Sequence, residues 1–178
     1  LEIDFSDRRA DVVGEGIDVV IRIGSLEDST LIARKLAPCP IILCAGEKLI
    51  EKYGLPESIE QLSTYPGIVY NKHVQKEEWR YRNNEDVVVS QTLNRDFAAN
   101  TAEMLLEACI RGLGVALLPA FCADPYLKSG ELVALFPDYP SYPEPGIYAM
   151  YPQNRYLSTR TRLFIDWLSD ASKDFSWR

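Results

Sequence analysis

A single histidine, His73, is present among the 178 residues. That scarcity argues against zinc sites built on paired histidines and against Ser-His or Cys-His catalysis. Long apolar runs are lacking too. Runs such as Val19 to Ile21, Ile41 to Cys44 and Val115 to Leu118 fall far short of the roughly 20 residues a membrane helix needs. The start, Leu1-Glu2-Ile3-Asp4-Phe5, has neither the basic segment nor the apolar segment of a secretory leader. The four cysteines, Cys39, Cys44, Cys109 and Cys122, form no CxxC spacing and sit among apolar neighbours. They read as reduced thiols of a cytosolic protein rather than as a metal cluster or a disulfide framework. Positive charge is also short: 19 basic against 26 acidic side chains give a net charge of −7. Such a chain repels a phosphate backbone and is by itself a poor partner for nucleic acid. No metal, cofactor or membrane partner is expected.

The composition is that of a globular protein, 47% hydrophobic and 25% charged, and the length suits one domain or two small lobes. Leu1 to Phe5 alternates apolar and polar residues and reads as a strand. Asp18 to Ile23 reads as a strand buried on both faces of a parallel sheet. Thr30 to Leu36 and Pro40 to Ala45 are further strand candidates. Glu47 to Tyr53 reads as a short helix closed by Gly54, and Ser58-Ile59-Glu60-Gln61 fits a capping box opening a second one before Pro66. Ile68 to Tyr70, Glu78 to Tyr81 and Val87 to Gln91 are read as strands, with a turn at Asn83-Asn84. Asn100-Thr101-Ala102-Glu103 is another capping box, opening a helix with the apolar stripe Met104, Leu105, Ala108 and Cys109. Gly112 is placed to end it, and Val115 to Leu118 follows as a buried strand stopped by Pro119. A short helix near Tyr126, a strand at Glu131 to Phe136, a Pro- and Tyr-rich crossing loop over 137–145 and a strand at Gly146 to Tyr151 come next. Ser158 caps a last helix with Leu163, Phe164, Trp167 and Leu168 on one face. The class is α/β.

The stretch from Gly14 to Gly24, Gly14-Glu15-Gly16-Ile17-Asp18-Val19-Val20-Ile21-Arg22-Ile23-Gly24, resembles the effector-binding domain of LysR-type transcriptional regulators. Further stretches agree in the same order: Asp28 to Pro38, Cys44-Ala45, Asn100 to Leu105, Gly112 to Pro119, Ser129 to Val133 and Ile147 to Tyr151. The resemblance covers nearly the whole chain. It implies two Rossmann-like lobes in the manner of a type 2 periplasmic binding protein, with a cleft between them that holds a small effector. Lobe one is expected over residues 1–67 and 143–178, lobe two over 68–142. The resemblance also implies a strand and helix ahead of Leu1, where a polar Ser or Thr lines the cleft. Those are absent here, so a partial chain with lobe one short of a strand is expected. A winged helix-turn-helix belongs N-terminal to that domain, and DNA would be contacted only through it.

In open α/β sheets, ligands sit beyond the carboxyl ends of strands. Asp7, then Arg22, Gly24 and Ser25, occupy such positions in the first part of the chain. The Arg22 guanidinium matches a carboxylate at two points; alternatively it pairs with Asp18, Asp28 or another nearby acid. Asn100 and Thr101 open the main helix, where free N–H groups and the macrodipole favour an anion. Plain N-capping is the alternative for Asn100, and Glu103 brings its own negative charge. Asn71, beside Tyr70 at the first crossover, is either a hinge amide reaching the cleft or a solvated turn, and Pro119 is placed at the cleft rim by the resemblance. His73 reads as an exposed loop residue. The tyrosines of Tyr139-Pro140-Ser141-Tyr142-Pro143 pack the second crossover or form a lid, and the Met104 stripe reads as core, while the resemblance leaves room for part of that helix to contribute to a dimer interface.

The expected role is therefore effector sensing and oligomerisation, as a homodimer or homotetramer, in a cytoplasmic regulator that binds a small anionic metabolite. No catalytic residue is assigned. A transport-type solute-binding protein of the same fold is the alternative, and an enzyme on this scaffold a further one, although no nucleophile and base are paired in the sequence.

Overall fold

A computed structural model describes residues 1–5, 11–26, 29–70, 77–153 and 158–173. The chain divides into two compact units. Among the described residues, unit 1 spans 1–39 and 145–173, and unit 2 spans 40–144.

Unit 2 is built on a five-stranded sheet. Its strands are β3 (Ile41–Gly46), β4 (Gly67–Tyr70), β7 (Phe97–Ala99), β8 (Val115–Pro119) and β9 (Leu132–Ala134), in the order β7-β4-β8-β3-β9. β7, β4 and β8 run parallel, while β3 runs antiparallel to both β8 and β9. Both faces are covered, so the strands read as unbroken apolar runs rather than as alternations. Cys44, Ile68, Ala116 and Leu118 meet Leu105, Ala108 and Cys109 of helix α2 (Ala102–Ile110) and Ala123 of helix α3 (Ala120–Ser129) on one side. Leu43, Ala45, Val69 and Val115 point to the other. They pack there with Leu49 of helix α1 (Glu47–Tyr53), Leu62 of a 3-10 turn (Ile59–Thr64), and Trp79, Tyr81 and Leu93 of the hairpin β5 (Glu77–Arg82) and β6 (Val88–Leu93).

The local signals act where they were read. Helix α1 stops at Gly54, whose N–H bonds the Ile50 carbonyl. Helix α2 ends in a Schellman motif: Gly112 N–H donates to the Cys109 carbonyl and Leu113 N–H to that of Ala108. Gly112 has φ +78°, and a Cβ there would lie 2.9 Å from the Lys48 side chain, so the position excludes other residues on two counts. Asn83 shapes the hairpin turn by accepting from the N–H groups of Glu85 and Val87.

Several expectations are corrected. The boundary expected at residue 67 falls at Cys39/Pro40, because β3 is an inner strand of the unit 2 sheet and takes residues 40–67 with it. The other boundary, expected at 142/143, falls at Glu144/Pro145. Ser58 makes no side-chain cap; instead Gln61 reaches back to the N–H of Glu57 at 2.9 Å, and a 3-10 turn forms. The N-cap of α2 is Thr101, not Asn100, with Thr101 Oγ1 accepting from Met104 N–H at 3.3 Å. Met104, read as core, is half exposed, whereas Leu105, Ala108 and Cys109 are buried. Helix α3 is longer than the short helix expected near Tyr126, and β9 is shorter than the strand expected there.

Unit 1 has a three-stranded sheet in the order β1-β10-β2, from β1 (Val20–Gly24), β2 (Leu31–Pro38) and β10 (Gly146–Pro152). Every described pairing is antiparallel, and β1 is an edge strand with Ile21 and Ile23 exposed. The expectation of a doubly buried parallel strand at 18–23 is thus overturned, since no described strand pairs with its outer edge. Leu1–Phe5 is likewise no strand: it pairs with none of the described residues, and Leu1 is 97% and Phe5 93% exposed. Helix α4 (Thr159–Ala171) is capped by Ser158, whose Oγ accepts from Thr161 N–H at 3.1 Å. Its inner face is Thr161 and Ile165, followed by Ser172, whose hydroxyl donates to the Leu36 carbonyl. Leu163 and Trp167 face outward, contrary to the stripe read from the sequence.

Candidate functional site

The parallel strands of unit 2 gather the candidate residues of that unit along one sheet edge. β7 ends at Ala99 and β8 at Pro119, both at the carboxyl side. Asn100 and Thr101 follow β7 and lead into α2, so the helix N-terminus stands at the strand ends where ligands of such sheets bind. Asn100 is exposed and Thr101 half-buried, its hydroxyl oxygen engaged in the cap. Pro119 faces Ile41 across the β3–β8 ladder and is half-buried. Asn71, Asp7 and His73 lie outside the described residues.

The candidates of unit 1 lie on and just after β1. Arg22 is half-buried, Gly24 closes the strand, and Ser25 is exposed. Arg22 lines a cavity of about 220 Å3 together with Asp11, Val12, Val13, Ser29, Thr30 and Leu31. Among the described residues no hydrogen bond or ion pair engages its guanidinium, Asp18 included. Asp11, Ser29 and Thr30 were not singled out by sequence reasoning. Ser29 and Thr30 stand within a stretch of the family resemblance, which was the only signal pointing to them; nothing in their spacing marks them as facing Arg22.

The thiols of Cys44 and Cys109 are buried and unsuited to act as nucleophiles. Burial pushes the Cys109 thiol up to about 12, and burial, followed by the neighbouring Cys109, drives Cys44 higher still. Both therefore stay protonated, and the Cys109 Sγ–H donates to the Cys44 carbonyl at 3.5 Å. The tyrosines of the crossing loop pack rather than stand free. Tyr142 N–H bonds the Arg80 carbonyl, the Tyr142 ring lies under the Arg82 guanidinium, and Tyr139 meets Tyr81 edge-on. Among the described residues, no group of three or more His, Cys, Asp or Glu is placed to hold a metal, and no helix is long and apolar enough to cross a membrane.

A mixed sheet with helices on both faces and the polar Asn100 and Thr101 at its carboxyl edge is the layout on which α/β proteins bind ligands. The family profile described as the LysR substrate binding domain matches residues 1–173; the chain belongs to that family. The chain is similar to the HTH-type transcriptional regulator DmlR of Escherichia coli (strain K12), 32% identical over 169 residues, 94% of this chain and 54% of that protein. It is 31% identical to the HTH-type transcriptional activator AaeR of the same strain, over 90% of this chain and 51% of that protein. Among solved structures it is similar to the full-length Vibrio cholerae virulence activator AphB, a member of the LTTR protein family. The TM-score there is 0.79 at 26% identity, with 96% of this chain and 57% of that chain covered. The fold is the periplasmic-binding-protein-like one of LysR-type regulatory domains. The chain spans about half the length of these relatives. The relatives are transcriptional regulators rather than transporters or enzymes, which favours the regulator reading over the solute-binding alternative.

Proposed function

We propose that this chain is the part of a cytoplasmic LysR-type regulator that senses a small anionic metabolite and holds the protein together as a homodimer or homotetramer. DNA is bound through an N-terminal winged helix-turn-helix of the parent protein. The observation that carries the reading is the family match along residues 1–173, beside relatives that are regulators of transcription. Arg22 supplies the anion contact, supported by its half-buried guanidinium without a partner among the described residues. Gly24, Ser25, Asn100, Thr101, Pro119, Asp7 and Asn71 complete the proposed set. The effector acts by binding one arrangement of the protein better than another, since equal affinity for both would switch nothing.

A melting-temperature screen with carboxylates tests the anion contact. Ligand at about 100 times its Kd adds about 2.7 kcal/mol. At roughly 2–4 °C per kcal/mol for a domain of this size, the shift is several degrees. Arg22→Ala is expected to abolish it. A carboxylate shift that survives Arg22→Ala overturns the assignment.

A further inference from the structure

The cavity on unit 1 holds more polar groups than the one cation the sequence marks. Ser29 Oγ accepts from Leu31 N–H at 3.2 Å, which leaves its own hydrogen to donate elsewhere. The Thr30 hydroxyl has no partner among the described residues. With the Arg22 fork, three sets of donors line one wall set. Asp11 lines the same cavity. Its Oδ1 accepts from Gly14 N–H at 3.0 Å, leaving Oδ2 as an acceptor. The buried Val12 and the half-buried Leu31 supply the apolar lining.

Charge and hydrogen bonding narrow what fits. The cavity of about 220 Å3 is open to solvent, with Asp11, Ser29 and Thr30 exposed, so its lining rather than its volume sets the occupant. A dicarboxylate would set its second charge against Asp11, at a Coulombic cost. A bare short fatty acid would leave the Asp11 acceptor without a donor, which forfeits a charge-assisted hydrogen bond. We propose that this cavity takes a short monocarboxylate bearing a hydrogen-bond donor, hydroxyl or ammonium, with Arg22, Ser29 and Thr30 on the carboxylate and Asp11 on the donor. The proposal rests on the reading above that the chain binds a small effector, and it adds Asp11, Ser29 and Thr30 as the residues that set specificity.

Propionate, lactate and alanine share a three-carbon skeleton and differ only in the substituent next to the carboxylate. Titration calorimetry of the 178-residue chain with each is expected to rank lactate or alanine about tenfold or more above propionate, the worth of one charge-assisted hydrogen bond. Which of the two leads separates a hydroxy acid from an amino acid. Asp11→Asn keeps an oxygen for Gly14 N–H and is expected to erase the advantage while leaving propionate unchanged. Thr30→Val is expected to weaken all three. Propionate binding as tightly as the other two, or binding indifferent to both variants, overturns the proposal. If none of the three binds while benzoate gives a melting shift that needs Arg22, this ligand class is wrong and the effector reading stands. If no carboxylate, these three and benzoate included, gives an Arg22-dependent response, both fall.

Discussion

At the scale of single residues the chain holds groups that cap and lock beside groups proposed for a ligand, and Thr101 is both. The Thr101 and Ser158 hydroxyl oxygens cap helix N-termini, and the Thr101 hydrogen stays available to an effector. Replacing either with Ala is expected to cost about 1 kcal/mol of stability, read from chemical denaturation. Ser141 is more heavily committed: Trp79 Nε1–H donates to its Oγ at 3.1 Å, and that hydroxyl donates to the Ile41 carbonyl at 2.8 Å. Ser141→Ala leaves the buried indole N–H unpaired and is expected to destabilise by about 1–3 kcal/mol. Adding Trp79→Phe to Ser141→Ala should cost less than the two changes summed, because the unpaired donor goes with the indole; additive costs would show that the hydroxyl matters only through Ile41. The thiols give a pH prediction. Cys44 and Cys109 have folded-state pKa values raised above the unfolded value of about 8.5. Below that value both states hold the proton and the groups contribute no pH dependence. As pH climbs from there toward about 12 the unfolded state alone loses protons, so stability is expected to fall. A double Cys44→Ala, Cys109→Ala variant should melt with a flatter alkaline limb, and an identical alkaline slope would assign the effect to other groups.

At the scale of elements, most helices announce themselves and the strand pairings do not. Caps, a terminating glycine and a spaced apolar stripe are local, so α1, α2 and α4 stand close to where the sequence puts them. Which strand pairs with which depends on residues distant in the chain. That is why β3 was assigned to the first lobe although its neighbours are β8 and β9. The same non-local dependence explains Leu1–Phe5, whose alternating pattern is real but finds no described strand to pair with. The candidate site was legible only in part for a related reason. Arg22 stands out as a lone charge in an apolar run, whereas Asp11 and Thr30 are ordinary polar residues until the fold brings them to the same cavity. Close backbone approach is equally invisible in sequence. A Cβ at Gly67 would stand 1.9 Å from the Asn94 carbonyl oxygen, next to the bonds that Asn94 makes to the Ser63 and Tyr65 carbonyls. Gly67→Ala is therefore expected to destabilise more than Gly112→Ala, where the nearest atoms are Lys48 Cβ at 2.9 Å and the Leu49 backbone N at 3.0 Å, and denaturation midpoints of the two variants check the order.

At the scale of the whole molecule, the cover of apolar surface is uneven. Both large core clusters belong to unit 2, while Leu1, Phe5, Ile21, Ile23, Leu163 and Trp167 are exposed on unit 1. The proposed self-association is checked by sedimentation velocity across a concentration series. A species of twice or four times 20.2 kDa is expected, and a monomer throughout would remove the oligomerising role from this chain. The net charge of −7 disfavours a phosphate backbone, in keeping with the proposal that DNA is bound outside this chain. The most direct test of the regulator reading is the coding sequence upstream of Leu1 in the parent gene. A basic winged helix-turn-helix followed by a helical linker is the expected result. A secretory signal peptide in that place would contradict the reading and make the protein a transport receptor.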